Sequence, residues 1–281
     1  MRIAEVFGFG VENQSKSASA SRGEKLCPFR GTKCTKGSKK NPLGVCSLSD
    51  GATATALCPV RFTQQDQIFK DAASIAFGKG SRFGIFPEIR ILKIAAKGDD
   101  ERDRKIGKVD YLLGKIDDNG AIADFAAVEV QGVYFSGGEI RTALDHYLKK
   151  GSLDVAISDR RPDFRSSAQK RLMPQLFLKV PVFRRWGKKF FVVVDDHFFS
   201  DLPAFKAEES ASNSELTWLS YSFKKAGVDY SLQGPNVVYS VWEDVQSALR
   251  EGVAPEKREI NAELEKKLKR SGKKSIRVLE T

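Results

Sequence analysis

Asp110, Glu129 and Gln131, with Glu88 further upstream, are residues whose types and spacing could do hydrolytic chemistry. The first three flank Asp118-Asn119-Gly120 within the stretch Val109 to Phe135. Asn-Gly between two strand-like apolar runs is a strong hairpin signal, because both turn positions take φ > 0. With Asn119-Gly120 as a two-residue loop, Asp118 faces Ala121, and facing residues have numbers that sum to 239. Asp110 then faces Glu129 and Lys108 faces Gln131. Residues 129 and 131 share a face, because side chains alternate along a strand. Opposed Cβ atoms lie roughly 4.5–5.5 Å apart, and carboxylates that close repel unless a cation sits between them. A divalent cation with oxygen ligands suits that place. A bulge would break the register and leave a solvent-exposed hairpin whose charges never meet.

An aspartate on one strand followed by Glu-x-Lys on the next is the pattern of the PD-(D/E)XK nucleases. There the acids hold Mg²⁺, which polarises the phosphate and acidifies a water. Here Gln131 stands at the lysine position. A carboxamide can hold a water but carries no charge and accepts no proton at neutral pH. Lys108, across from it in this register, is the candidate to supply the charge, and Glu88 is a further acid. Pro162-Asp163 spells the superfamily's literal "PD" but lacks a following Glu-x-Lys strand, so it reads as a decoy. Only two histidines occur, so sites built on several histidine ligands are poorly supplied. His146 reads as packing or surface, and Asp195-Asp196-His197 as a strand end in solvent.

All four cysteines, Cys27, Cys34, Cys46 and Cys58, fall in one segment with spacing C-x6-C-x11-C-x11-C. No apolar signal region follows Met1-Arg2, so disulfides are not expected and clustered thiolates point to metal. Sulfur-only tetrahedral sites suit zinc or iron, and four protein ligands make such a site structural. Four unrelated buried cysteines are the plainer alternative.

The chain has 281 residues, a net charge of +11 and a pI near 9.4, which favours a polyanionic partner. Residues 160–189 hold ten Lys or Arg against one acid, Asp163; residues 22–46 hold seven against Glu24. Arg160, Arg161, Arg165, Lys170 and Arg171 are the candidates for DNA contact. Arginine bidentate to guanine is the commonest specific base contact, although most basic contacts go to phosphate. Arg30, Lys33, Lys36, Lys39 and Lys40 are expected to add phosphate contacts. No apolar run is long enough to span a membrane, and a cytoplasmic, prokaryotic location is expected.

The elements that must position these residues read as a mixed α/β core with a central sheet. Ile3 to Phe9 is a short apolar run, and SKSASASRG reads as loop or linker. An amphipathic helix is predicted over Gln64 to Phe77. Phe83 to Ile94 reads as a turn at Pro87-Glu88 and then a strand, and GDDERDRKIG as a polar loop. Beyond the hairpin come a helix from Glu139 to Lys149, a helix or extended piece from Met173 to Phe183, and a buried strand from Phe190 to Phe199. Strands at Leu216 to Phe223 and Val237 to Val241 and a helix at Trp242 to Arg250 follow. The tail, Glu256 to Arg270, is a solvated charged helix that could dock on a partner subunit, with basic Lys273 and Lys274 beyond it. The expected division is 1–62, carrying a small loop-rich four-cysteine metal-binding domain, and 63–281, the core.

Three segments together resemble a known family: LCPFRGTKC…GVCSL…LCPVRF at residues 26–62, VDYLL…FAAVEVQGVYFSGGEIR at 109–141, and RRPDFRSSAQKRLMPQL at 160–176. They look like the NotI restriction endonuclease family. The resemblance implies a PD-(D/E)XK core with a four-cysteine site holding a single iron, zinc being the alternative. It implies a homodimer that uses Mg²⁺ to cut duplex DNA at GC-rich palindromes. Asp110, Glu129 and Gln131 match the family's catalytic positions, Glu-x-Gln being its own form; Glu88 matches more loosely. A companion DNA methyltransferase is expected as a functional complement, not as a bound partner. The competing readings are a non-catalytic metal-stapled DNA-binding module and a repair or recombination nuclease with structure preference.

Overall fold

The structure is a computed structural model that describes residues 1–38, 40–51, 53–94, 104–151, 157, 159–250 and 255–269. Lys39, most of the GDDERDRKIG loop, and Lys273 and Lys274 lie outside the described residues. Contacts divide the chain into Met1–Leu249 and Arg250–Thr281.

The first unit opens with β1 (Arg2–Val6) and β2 (Phe9–Gly10) and then, where a linker was expected, helix α1 (Lys16–Glu24). Ser15 caps this helix by accepting from the Ala18 N–H, and its alanines and lysine are good helix formers. Two short strands follow, β3 (Leu26–Cys27) and β4 (Thr32–Lys33), then β5 (Val45–Ser49), β6 (Thr53–Ala56) and helix α2 (Gln67–Phe77). The chain then runs through β7 (Phe83–Ile94), β8 (Arg104–Ile116), β9 (Ile122–Val130), β10 (Phe135–Ser136) and α3 (Ile140–Lys150). Next come β11 (Arg161–Pro162), α4 (Phe164–Ser167), a π-helical turn over Ala168–Leu172, and α5 (Met173–Arg185). The unit closes with β12 (Phe190–Asp195), α6 (Asp196–Ser200), β13 (Leu216–Ala226), β14 (Asp229–Ser240) and α7 (Trp242–Arg250). In the second unit, α8 (Lys257–Lys269) has no buried side chain.

Ten strands form one mixed sheet in the order β2-β1-β5-β6-β13-β12-β9-β8-β7, with β14 also paired to β13. β12 lies parallel to both β9 and β13. Buried on both faces, it reads as a continuous apolar run. Phe190, Val192 and Val194 enter one core with α3, α5 and α7, while Phe191 and Val193 enter the other with α2. Residues 1–62 supply β1, β2, β5 and β6 to this same sheet, so the boundary expected after residue 62 has no counterpart in the strand order.

Two further expectations are corrected. The turn expected at Pro87-Glu88 does not end the strand: β7 keeps its register with β8 on both sides, with Glu88 alone at positive φ. As an edge strand it can carry a proline that donates nothing to the ladder. The strand expected to reach Phe199 stops at Asp195, whose carboxylate caps α6 by accepting from the His197 N–H.

Candidate active site

β8 and β9 pair from Tyr111↔Val128 to Lys115↔Asp124, all with numbers summing to 239, which sets Asp110 opposite Glu129. The turn is not the expected two-residue loop. Asp117 and Ala121 are the closing pair, with Gly120 at φ 83° and the Asp117 carboxylate accepting from the Asn119 and Ala121 N–H groups. Beside the turn the register is one lower, Ile116↔Ile122, and Ala123 is the extra residue that restores it.

The two carboxylates are interlocked through the backbone. Asp110 Oδ2 accepts the Val130 N–H at 3.0 Å, and the Asp110 N–H points to Glu129 Oε2 at 3.5 Å. Burial and then the Asp110 charge push the Glu129 carboxyl up to about 7. Burial likewise raises Asp110. Glu129 is 1% exposed, and its Oε1 is held at 2.6 Å by Lys179 Nζ, itself 3% exposed. Lys179 also donates to Gln175 Oε1, one turn earlier on α5, at 2.7 Å.

A cleft of about 380 Å³ opens onto Asp110. Its walls are Pro87 and Glu88 of β7, Tyr111 of β8, Val130 and Gln131 at the end of β9, Pro59 and Val60, Arg171 and Gln175 around the start of α5, and Arg30 from the cysteine segment. Gln131 is buried, and its Nε2 donates to Gly132 O at 2.5 Å. Gly132 sits so close to the segment before Cys58 that a Cβ there would lie 2.9 Å from Leu57 O. Glu88 has φ 59° and is 62% exposed at its side chain, where it bonds to Lys108 at 2.9 Å. Lys108 is therefore paired across β7 and β8. The lysine that reaches Glu129 is Lys179, which the strand pattern did not reveal.

The basic candidates separate. Arg171 lines the cleft and lies 4.7 Å from the Tyr134 ring centroid. Arg161 and Arg165 line a second hollow with Asp163, and Lys170 is exposed. Arg160 turns inward, donating to the Gly137 and Gly138 carbonyls, so its hydrogen bonds hold a loop. Asp163 caps α4 through the Ser166 N–H, the work of an N-cap rather than of a catalytic acid. Lys33 and Lys40 are exposed, Lys36 donates to Leu57 O, and His146 is half-buried. Asp195, read as a solvent-facing strand end, is 0% exposed, and burial pushes its carboxyl up to about 6. It is enclosed because β12 runs between β9 and β13 in the sheet and its Oδ2 meets the Ala56 N–H of β6.

None of the four cysteines is joined in a disulfide. Burial raises Cys27, Cys46 and Cys58, and neighbouring thiols push the same way: Cys58 acts on Cys27 and Cys46, and Cys34 acts on Cys27 and Cys58. Backbone N–H groups of Arg30, Gly8 and Val60 act on the Cys27, Cys46 and Cys58 sulfurs in the opposite sense. Among the described residues no three His, Cys, Asp or Glu side chains are gathered tightly enough to form a ready metal cage. The donor sets nevertheless suit their expected ions. Mg²⁺ binds through one or two carboxylates plus substrate phosphate rather than through an all-protein cage. Cysteine thiolates are the soft donors that iron or zinc takes.

A large mixed sheet flanked by helices, with opposed acids at a cleft rimmed by arginine, fits a restriction-endonuclease-like fold. The family model described as restriction endonuclease NotI matches residues 6–232, and the chain belongs to that family. It is a type II site-specific deoxyribonuclease acting on double-stranded DNA. No curated protein and no solved structure matches it. No described helix is long and apolar enough to cross a membrane.

Proposed function

We propose that this endonuclease hydrolyses phosphodiesters in a Mg²⁺-dependent reaction at a GC-rich palindrome, as a homodimer with PD-(D/E)XK-type sites. The observation that carries the reading is the pairing of Asp110, which lines the cleft, with the buried Glu129. A buried carboxylate whose proton affinity is raised by burial and by the half-buried Asp110 beside it forms a site that favours a hard cation. Asp110 and Glu129 would hold Mg²⁺, with Glu88 a further acid at the rim. Bound Mg²⁺ supplies Lewis-acid polarisation of the phosphate and lowers the pKa of a water. Gln131 donates through Nε2 to Gly132 O, which leaves its Oε1 to accept from a water and orient it. Arg171 and Arg30, both lining the cleft, supply fixed positive charge for the DNA backbone. The cysteines would hold a structural iron, or zinc, and Arg161, Arg165 and Lys170 extend the contact to flanking DNA.

The test is digestion of a large GC-rich DNA of known sequence with Mg²⁺ and with chelator, using wild type and Asp110→Ala. Discrete fragments from wild type only with Mg²⁺, and an Asp110→Ala protein that still shifts DNA on a gel, are expected. Normal cutting by Asp110→Ala would remove the site. Intact DNA that shifts with wild type would favour a binding module, and a smear a structure-selective nuclease.

A further inference from the structure

Gln131 leaves uncharged the strand position where Glu-x-Lys would carry a cation, and a cation reaches Glu129 from a different element. Resting on Asp110 and Glu129 as the working carboxylates, we propose that Lys179 of α5 is the positioning residue of this site. It holds Glu129 by Oε1 and leaves Oε2 turned toward Asp110.

The geometry is specific. Lys179 Nζ lies 2.6 Å from Glu129 Oε1, while Glu129 Oε2 faces the Asp110 N–H. An ammonium is a point charge on a flexible stem, and one acceptor would let it swing. Here a second acceptor, Gln175 Oε1 at 2.7 Å, fixes its direction. Gln175 itself lines the cleft, so a bonded chain runs from the cleft wall through Lys179 to Glu129.

The setting argues the same way. Leu176, Lys179, Val180 and Phe183 form the buried stripe of α5. A leucine there would pack without taking a charge out of water, whereas a buried ion pair is poor evidence of a gain in stability. Position 179 therefore serves the carboxylate rather than the packing of the helix. Lys108, the other candidate, is bonded to Glu88 in solvent.

K179M keeps the stem and removes the charge. Q131K/K179M returns a lysine to the strand. Cleavage at saturating Mg²⁺, DNA binding by gel shift in chelator, and thermal unfolding are measured for both variants, wild type and D110A. K179M should bind DNA as wild type does and lose about 100-fold in cleavage rate, the scale of a small misplacement at a reacting centre. Q131K/K179M should recover about tenfold. A lysine needed only for packing would not be rescued from position 131. If K179M fails to fold, K179Q, which keeps an N–H toward Glu129 without the charge, replaces it with the same expectations. Near-normal cutting by the folded variant while D110A is inactive, or a loss that Q131K does not rescue, overturns the role of Lys179 alone. Normal cutting by D110A overturns the underlying site.

Discussion

Glu129→Gln should stabilise the metal-free protein above neutral pH while destroying cleavage. Burial and the Asp110 charge raise the Glu129 carboxyl from an ordinary 4.5 to about 7. Between those values the unfolded chain has released the proton and the folded chain still holds it. The folded state thus binds more protons, and wild-type stability falls as pH rises through that window. At about 1.4 kcal/mol per pH unit the penalty reaches about 3 kcal/mol above pH 7. Glutamine does not titrate, and its carbonyl oxygen can still accept from Lys179. Apart from a constant offset, the advantage of the variant should be absent near pH 4 and grow to about 3 kcal/mol by pH 8, or roughly 6–12 °C in Tm for a unit of this size. Urea unfolding of both proteins in chelator across that range measures it. A gap that does not change with pH would refute the reasoning, because it would mean that Glu129 is not held against ionisation.

Other substitutions probe other parts. Arg61 and Glu5 form an ion pair with both side chains 1% exposed. Arg61→Leu should cost about 3–5 kcal/mol in denaturant unfolding by leaving Glu5 buried and unpaired, and a loss below about 1 kcal/mol would show that Ser47, its remaining partner, suffices. Asp195, raised from 3.8 to about 6 by burial, should make Asp195→Asn gain on wild type by about 3 kcal/mol as pH rises from 4 to 7; equal pH profiles would contradict its burial. Cys58→Ser should lose bound iron or zinc on elemental analysis and melt earlier, since metal binding there is folding energy. Active wild-type protein holding neither metal would end that assignment.

The opposed acids were legible in the sequence for a reason that was only half right. Pairing about Asn119-Gly120 places Asp110 against Glu129, yet the loop closes at Asp117 and Ala121, one register lower. The bulge at Ala123 moves the ladder back by the same amount. The two departures cancel, and Asn-Gly alone signals neither. Lys179 was illegible for a different reason. It lies 50 residues from Glu129 along the chain and among many basic residues, where it reads as surface. A signal was present: with Met173–Arg185 taken as a helix, Lys179 falls on the stripe of Leu176, Val180 and Phe183. A lysine in an apolar stripe calls for a partner. Asp195 carried the same kind of hint, an acid closing a strand buried throughout. SKSASASRG misled because serine favours both loops and helix caps, and only tertiary contact through Ala18 and Ser21 decides.

The sheet joins strands from distant parts of the chain, with Ala54 of β6 pairing with Phe223 of β13. During synthesis β6 therefore leaves the ribosome long before its partner exists. At about 5–20 residues per second the delay is roughly 10–30 s. Through that interval β2, β1, β5 and β6 have only one another, and the open edge of β6 is a place where a second nascent chain could pair. The same interval leaves Cys27, Cys34, Cys46 and Cys58 translated but not yet enclosed by the finished sheet. A metal arriving then would meet accessible thiols and could cross-link the early segment before β8 and β9 have formed.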